Sequence, residues 1–337
     1  MPNLSASRRR PEDFWNGEIR ELYSKSFSAD LLRRILPELR EGRDWLCDGR
    51  AVGETCAGQD QLKSLIENWV AEGWAEVVVK AAFGTAGREQ IFVSGGQLRD
   101  QQHGWVTNVL AHQGSVVAEP RLAKCFDLSI HLDVREDGTA SLVGWTRFLT
   151  DGRGQFNGAF VTGIWSGLSD ADRRFIYGDG RAPRRMHDLF AVLAEMVGGA
   201  LFAKGYVGAA GIDALVYADG PTLRLKPIVE INPRLTMGRV ALSLRRRVNA
   251  ARTSVWMTLT RREIEASGFA DMHDYRARVV ERHPLELQDG LISRGFLPTT
   301  DPHKAEMFYS GLVVGESLEQ CAELLGPLAG KLGSAFV

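Results

Sequence analysis

The sequence predicts an α+β fold with largely antiparallel sheets, and three observations predict it. β-Branched or alternating segments come in adjacent pairs joined by short polar turns. Amphipathic helical stretches fall between those pairs. No regular strand–helix–strand alternation, the mark of a parallel sheet, runs through the chain. Its 337 residues suit about two domains or one multi-lobed enzyme. Apolar residues at 44% and charged residues at 25% are values of a globular chain able to build a sizeable core. The 41 basic and 42 acidic residues give a formal net charge of -1, which excludes the global basic excess of a general nucleic-acid binder. No apolar run is long enough to cross a bilayer, and the first residues lack the apolar segment of a secretory signal. A cytoplasmic chain is expected, without nucleic-acid or membrane partners. Cys47, Cys56, Cys125 and Cys321 are far apart, form no CxxC, and are expected to be inert thiols.

Residues 1–50 read as helical pieces. Phe27, Leu31, Leu32, Ile35 and Leu36 recur at helical spacing, with Pro37 and Gly42 as breakers. In DQLKSLIENWVAE (60–72), Leu62, Leu65, Ile66 and Trp69 share one helix face, with Asp60 as N-cap and Gly73 as stop. AEVVVKAAF (75–83) is a strand, and QIFVSG (90–95) is its hairpin partner across FGTAGRE. SVVAEPRL (115–122) is another strand, ending at Pro120. DLSIHLDVREDG (127–138) alternates apolar and polar residues and turns back into TASLVGWTRFLT. DGRGQFNG (151–158) is expected to be a flexible Gly-rich loop. Residues 186–205 form the longest helix, with Leu189, Leu193, Met196, Val197 and Leu201 as its stripe and Gly205 beyond its end. Residues 211–234 make two strands around an Asp219-Gly220 turn. A strand at 310–315 precedes a helix whose Ser317 and Gln320 are spaced as a capping box.

The strongest chemical signal is the end of the 211–234 hairpin. Glu230 and Asn232 are two apart on one strand, so both project to the same face. Closure at Asp219-Gly220 brings Asp213 beside them. Two carboxylates and an amide oxygen form a set suited to a hard cation such as Mg²⁺ or Mn²⁺, which keeps waters and takes phosphate oxygens. Arg234 follows, placed to meet an anion bidentately. The competing reading is a solvated polar face, but Ile228, Val229 and Ile231 around these residues are apolar. The second signal is Lys80 after Val77, Val78 and Val79: a lysine there needs a partner. Gly84, Gly87 and Arg88 follow it in a turn that permits close backbone approach to phosphate oxygens. The spacing matches neither GxxxxGK[ST] nor a GxGxxG that opens a helix. The third signal is the strand end at Glu119-Pro120, with Asp127 eight positions beyond Glu119. The seven histidines show no metal spacing and are expected mostly on the surface or in hairpins.

In order, VVVKAAFGTAGR, VVAEPRLAKCFD, GID and VEINPR resemble the ATP-grasp superfamily over residues 20–240, roughly two-thirds of the chain. The E-x-N-P-R element is the most specific part. The resemblance implies two α+β subdomains with mainly antiparallel sheets that sandwich ATP. It implies that Lys80 contacts the α- and β-phosphates under a cover that includes Gly84, Gly87 and Arg88. Glu119, Arg121 and Leu122 would form the hinge at the adenine, and Asp127 would hold the ribose. Asp213, Glu230 and Asn232 would ligate Mg²⁺, Arg234 would bind the γ-phosphate or acyl phosphate, and Lys25 would be an earlier ATP-contacting lysine. Two departures stand out: the ribose position is more often Glu, and only about seventy residues precede Lys80 where a domain of ~100 residues is usual.

The implied activity is that of an ADP-producing ligase, which activates a small-molecule or peptide carboxylate and joins it to an amine or thiol. Arg147 and Arg153 are candidates for holding the substrate carboxylate, with a solvated loop Arg the equal alternative. The run Arg245-Arg246-Arg247 reads as a solvated helix face. The expected organisation is a helical remnant of an N-terminal domain (1–74), a small ATP-grasp subdomain (75–125), a large one with the metal site (126–248) and a C-terminal extension (249–337). A homodimer, or a partner chain that supplies an N-terminal domain, would complete it. The rivals are an ATP-dependent kinase on the same scaffold and a non-catalytic nucleotide-binding subunit of a larger ligase.

Overall fold

The computed structural model describes residues 17–84, 89–152, 154–178 and 184–335. Helix α1 (Gly17–Leu22) leads into α2 (Lys25–Arg40), which the Ser24 hydroxyl caps by accepting from the Phe27 N–H at 3.0 Å. Pro37 does not end α2. The apolar stripe continues through Leu39, 1% exposed, and its burial offsets the backbone bond that proline cannot donate. Gly42, at φ +68°, turns the chain out of the helix. Strand β1 (Glu54–Cys56) and α3 (Gln59–Ala71) follow. The N-cap of α3 is Gly58, and Asp60 lies in the first turn, where its charge suits the helix dipole. Next come β2 (Glu76–Ala81), β3 (Gln90–Ser94), α4 (Asp100–Gln113) and β4 (Val116–Pro120). The four strands form one antiparallel sheet in the order β1-β4-β2-β3. Val77, Val79 and Val116 pack on Leu62, Ile66 and Trp69 of α3 and Val106 of α4.

At Pro120–Ala123 the chain crosses into a second sheet. Strands β5 (Ala123–Val134), β6 (Ala140–Thr150) and β7 (Phe156–Thr162) run as a meander. Helices α5 (Asp170–Tyr177) and α6 (Arg184–Phe202) precede the hairpin β8 (Gly208–Asp219) and β9 (Thr222–Asn232). Helix α7 (Met237–Leu244), β10 (Thr253–Thr260), α8 (Arg261–Ala266) and α9 (Met272–Arg282) come next. Then follow β11 (Glu286–Gln288), β12 (Leu291–Pro298), β13 (Phe308–Gly315), α10 (Leu318–Leu325) and a 3-10 helix over Gly326–Ala335. Nine strands form one sheet in the order β11-β12-β13-β10-β7-β6-β5-β8-β9, each pair antiparallel.

Strand alternation gives this sheet a back face and a front face. Leu128, Ile130, Ile212, Ala214 and Val216 point back onto the buried stripes of α2 and α6. Of the expected α6 stripe, Leu189, Leu193, Val197 and Leu201 are buried and Met196 is half-buried. The front face carries Asp127, Ser129, Asp213, Glu230 and Asn232, and α7 packs across its β5–β7 part.

The segments read as flanks are built into the two sheets. Residues 17–74 form no unit of their own: α2 packs on β9, while β1 pairs with β4 and α3 packs on the small sheet. Residues 249–335 extend the large sheet through β10 on β7, because β10 supplies an apolar, β-branched pairing partner. The expected loop 151–158 is shorter than predicted: Gly154 N–H and Gln155 O close a turn on Asp151, and Phe156 already starts β7. At α10 the Ser317 hydroxyl caps the Gln320 N–H, but the Gln320 side chain accepts from Glu316 N–H, so the capping box is half-formed. The four cysteines are free, and only Cys125 is not buried. Among the described residues, no helix is long and apolar enough to cross a membrane.

Two adjacent glycines of α6 test this packing. A Cβ on Gly198 would meet the Ala140 Cβ at 2.1 Å, whereas one on Gly199 meets nothing within 4 Å. Gly199→Ala should raise stability by up to ~1 kcal/mol through helix propensity, and Gly198→Ala should lower it by ~1–3 kcal/mol through overpacking. Denaturant titration of the two variants reads the opposite signs.

Candidate functional site

The two sheets face each other across a cleft, and alternation decides what lines it. On β2, Val77, Val79 and Ala81 turn into the small core, so Glu76, Val78 and Lys80 turn to the cleft. Glu119 pairs in register with Val78 and joins them. The cleft holds an outer volume of about 1050 Å³ along the crossing segment and an inner one of about 530 Å³ over the front face of the large sheet. Lys80, Lys124 and Thr150 line both.

The inner part contains the expected oxygen set. Asp213 and Glu230 are direct register partners on β8 and β9, and Asn232 lies opposite Gly211. The Asp213 carboxylate accepts from Ser129 Oγ at 3.1 Å and from Asn232 Nδ2 at 3.1 Å. Burial, and next the Glu230 charge, push the Asp213 carboxyl up to about 7. Lys25 Nζ donates to Glu230 Oε1 at 2.9 Å and to the Gly84 carbonyl at 2.6 Å, so the start of α2 reaches the same point. Arg234 is exposed at the rim, with Nη2 donating to Asn232 Oδ1 at 3.2 Å. Asp127 lines this inner part too, held by Lys124 Nζ at 2.6 Å and Thr150 Oγ1 at 3.1 Å. Burial outweighs the Lys124 charge and raises its pKa. Among the described residues no three His, Cys, Asp or Glu side chains cluster in a geometry for a metal, so any cation here relies on two carboxylates plus the amide.

The partner that Lys80 requires is Glu119, in a short ion pair across β2 and β4. Lys226 of β9 donates to the other Glu119 oxygen at 2.7 Å. Burial would raise the Glu119 pKa, but Lys226 and Lys80 together hold it down to about 2. The Glu119 side chain thus ties the small sheet to the large one, and any contact of the hinge with a base falls to the backbone around it. The Arg121 side chain is likewise engaged, with Glu76 and 4.8 Å from the centre of the Phe92 ring, while Leu122 lines the outer cleft.

Arg147 is not a cleft residue. Phe148 and Thr150 alternate toward the cleft, which turns Arg147 under the sheet, 2% exposed, over the Phe160 ring and bonded to the Ser166 carbonyl. Burial lowers its pKa to about 9. Arg153, Gly87 and Arg88 lie outside the described residues. His131 also departs from the surface reading. It is 1% exposed beneath Gly238, and burial drives its pKa down to about 4. Arg245 is pinned to the Val161 carbonyl at 3.0 Å, so the arginine run is not wholly solvated. Sequence reasoning missed Lys226, Lys124 and Ser129. The signals available were a lysine inside the apolar strand LRLKPIVEIN and a serine two positions after Asp127, on the same face.

The Glu119 clamp has a signed pH dependence. Its folded pKa lies below the unfolded value, so its stabilisation is complete above the ordinary glutamate value of 4.5 and is lost as pH falls toward about 2. Glu119→Gln should cost ~3–5 kcal/mol at neutral pH, because the buried Lys226 and the half-buried Lys80 lose their counter-charge. The gap to the unsubstituted protein should narrow in denaturant titrations below about pH 4.5. A gap that stays constant with pH would deny the clamp.

No family model and no curated protein matches the chain. Solved structures do. The biotin carboxylase domain of the 2-oxoglutarate carboxylase from Hydrogenobacter thermophilus, in complex with MgADP, ADP and bicarbonate, aligns at a TM-score of 0.52 with 13% identity. The alignment covers 90% of this chain and 64% of that one, so this chain spans less than two thirds of its length. The N5-carboxyaminoimidazole synthetase from Staphylococcus aureus, complexed with ADP, aligns at 0.51 with 10% identity over 95% of this chain and 72% of that one. The carboxyaminoimidazole ribonucleotide synthase from Aspergillus clavatus, complexed with ATP, aligns at 0.51 with 13% identity over 94% and 74%. At such identities the likeness is one of fold: the chain has the ATP-grasp fold, two antiparallel sheets facing each other across a cleft.

Proposed function

We propose that this chain is a Mg²⁺- and ATP-dependent ligase, which activates a carboxylate as an acyl phosphate and passes it to an amine or thiol. The observation that carries the reading is the register pair Asp213–Glu230, set with Asn232, Lys25 and Arg234 at the inner end of the cleft. Two adjacent carboxylates destabilise each other's charge, and the Asp213 pKa is raised by burial first and by the Glu230 charge second. A hard cation relieves that repulsion, so the donor set fits Mg²⁺ or Mn²⁺ held by Asp213, Glu230 and Asn232. When bound, that cation offsets charge on the phosphate oxygens. The bound nucleotides of the aligned structures support ATP as the co-substrate.

The chain's own residues account for binding and charge dispersal. The crossing segment at Arg121 and Leu122 offers its backbone to the base in the outer cleft. Asp127 stands between base and phosphate ends, where a ribose would lie. Lys80, Lys25 and the Gly84 backbone flank the path of the phosphates, and Arg234 meets the transferred group. A carboxylate oxygen of the acid attacks the γ-phosphorus as the bond to the bridging oxygen of ADP breaks. The amine or thiol then adds to the acyl carbon, loses its proton, and inorganic phosphate leaves. Catalysis is positioning and electrostatics, with no Ser or Cys nucleophile required.

Glu230→Gln should lower ATP-dependent phosphate release about 100-fold or more, with little change in melting temperature. Lys80→Ala should weaken ATP binding in calorimetry about tenfold, since it removes a phosphate-side cation as well as part of the clamp. Phosphate release by Glu230→Gln at the unsubstituted rate with Mg²⁺ present would remove the metal assignment.

A further inference from the structure

The front face of the large sheet is polar on one side and aromatic on the other, and the boundary is sharp. In one row, Glu230 of β9, Asp213 of β8 and Ser129 of β5 are successive register partners. In the adjacent row, Asp127 of β5 pairs with Phe148 of β6. Phe156 of β7, opposite Thr150, stacks on Phe148 with ring centres 6.2 Å apart. Trp256 of β10 backs Phe156 at 6.4 Å. Both phenylalanines are only half-buried, and both line the inner cavity. Met237, 40% exposed, opens α7 at the same cavity. Among the described residues, β6 and β7 contribute Phe148, Thr150 and Phe156 to this wall, none of them charged.

Resting on the ligase reading, we infer that the acid this site takes has an apolar body, aromatic or branched aliphatic, packed against Phe148, Phe156 and Met237. The carboxylate of any acid to be phosphorylated has to lie at the polar side, among Asp213, Glu230 and Asn232 with their cation. From there its body has two directions. Toward β9 it meets Lys25, Tyr23 and Gly84, the side given to phosphates. Toward β6 and β7 it meets the half-buried rings. Among the described residues the polar atoms at that wall are already engaged, Lys124 Nζ and Thr150 Oγ1 with Asp127 and with each other, so a polar or doubly charged body loses water there without gaining a partner, whereas an apolar body gains by covering the rings. The exposed Arg234 guanidinium spends one donor on Asn232 Oδ1 and a long contact on the Leu235 carbonyl, which leaves donors for the acid's single carboxylate.

The test is calorimetric binding of four acids to the whole chain with Mg²⁺ and ADP present: 3-phenylpropionate, 4-methylpentanoate, propionate and succinate. The first two should bind at least about tenfold more tightly than the last two, the scale set by burying several CH₂ equivalents. Phe156→Ala and Met237→Gln, each checked for an unchanged melting transition, should reduce the preference while sparing propionate. The unsubstituted protein's ranking alone decides if a variant fails to fold. Equal affinities, tighter succinate, or no binding by any of the four would overturn the inference. Phosphate release from ATP with the same acids and hydroxylamine present as the amine acceptor tests the ligase reading separately. The ranking without release would discard the ligase and keep the apolar-acid site, and release without the ranking would do the reverse.

Discussion

Glu119 holds the molecule's two sheets at a working distance. Its carboxylate receives Lys80 from its own sheet and Lys226 from the other, in a half-buried setting where a lone charge would be costly. One carboxylate with two ammonium groups leaves a net positive charge at the cleft wall. That excess sits beside the inner cavity, where Asp213 and Glu230 bring negative charge. The cleft therefore carries both signs close together: Lys80 from the small sheet, with Lys25, Lys124 and Lys226 from the large-sheet side, beside the carboxylates of Asp213 and Glu230. Such an arrangement suits a polyanion that carries its own cation better than either partner alone.

The carboxylates are placed by pairing, not by loops. Register in the β8–β9 hairpin sets Asp213 against Glu230, and the same hairpin buries Ile212 and Ile231 on the opposite face against α2 and α6. A slip of one residue would expose those isoleucines and bury the carboxylates, so the cost of misplacing the site is the cost of dismantling the core. Lys25 is positioned by the same logic, as the first residue of a helix whose stripe is locked into that core.

The parts of this arrangement that depend on local pattern were legible in the sequence. Alternation in DLSIHLDV, the Asp-Gly turn at 219–220 and the two-residue spacing of Glu230 and Asn232 determine which faces these residues occupy, and the structure has them so. Lys80 was readable as a lysine in need of a partner. That the partner is Glu119 was not, because the contact joins residues 39 positions apart. Lys226 was hidden for the same reason, its partner being 107 positions away. Arg147 was misread because a basic residue near a loop suggests a ligand, yet strand alternation with Phe148 had already fixed it to the other face. How the flanking segments join the two sheets was not legible, because short strands such as β1, and the apolar β10, declare themselves only through pairing with distant partners.

The account stands on the claim that Asp213, Glu230 and Asn232 hold a divalent cation shared with nucleotide phosphates. The most direct measurement is a crystal structure of the chain with Mn²⁺ and a non-hydrolysable ATP analogue, the metal located by its anomalous scattering. The account predicts a metal peak within coordination distance of Glu230 and Asp213, with the phosphates reaching it past Lys80 and the base against the crossing segment at Arg121 and Leu122. Nucleotide bound without a metal at those carboxylates, or bound outside the cleft between the sheets, would contradict it.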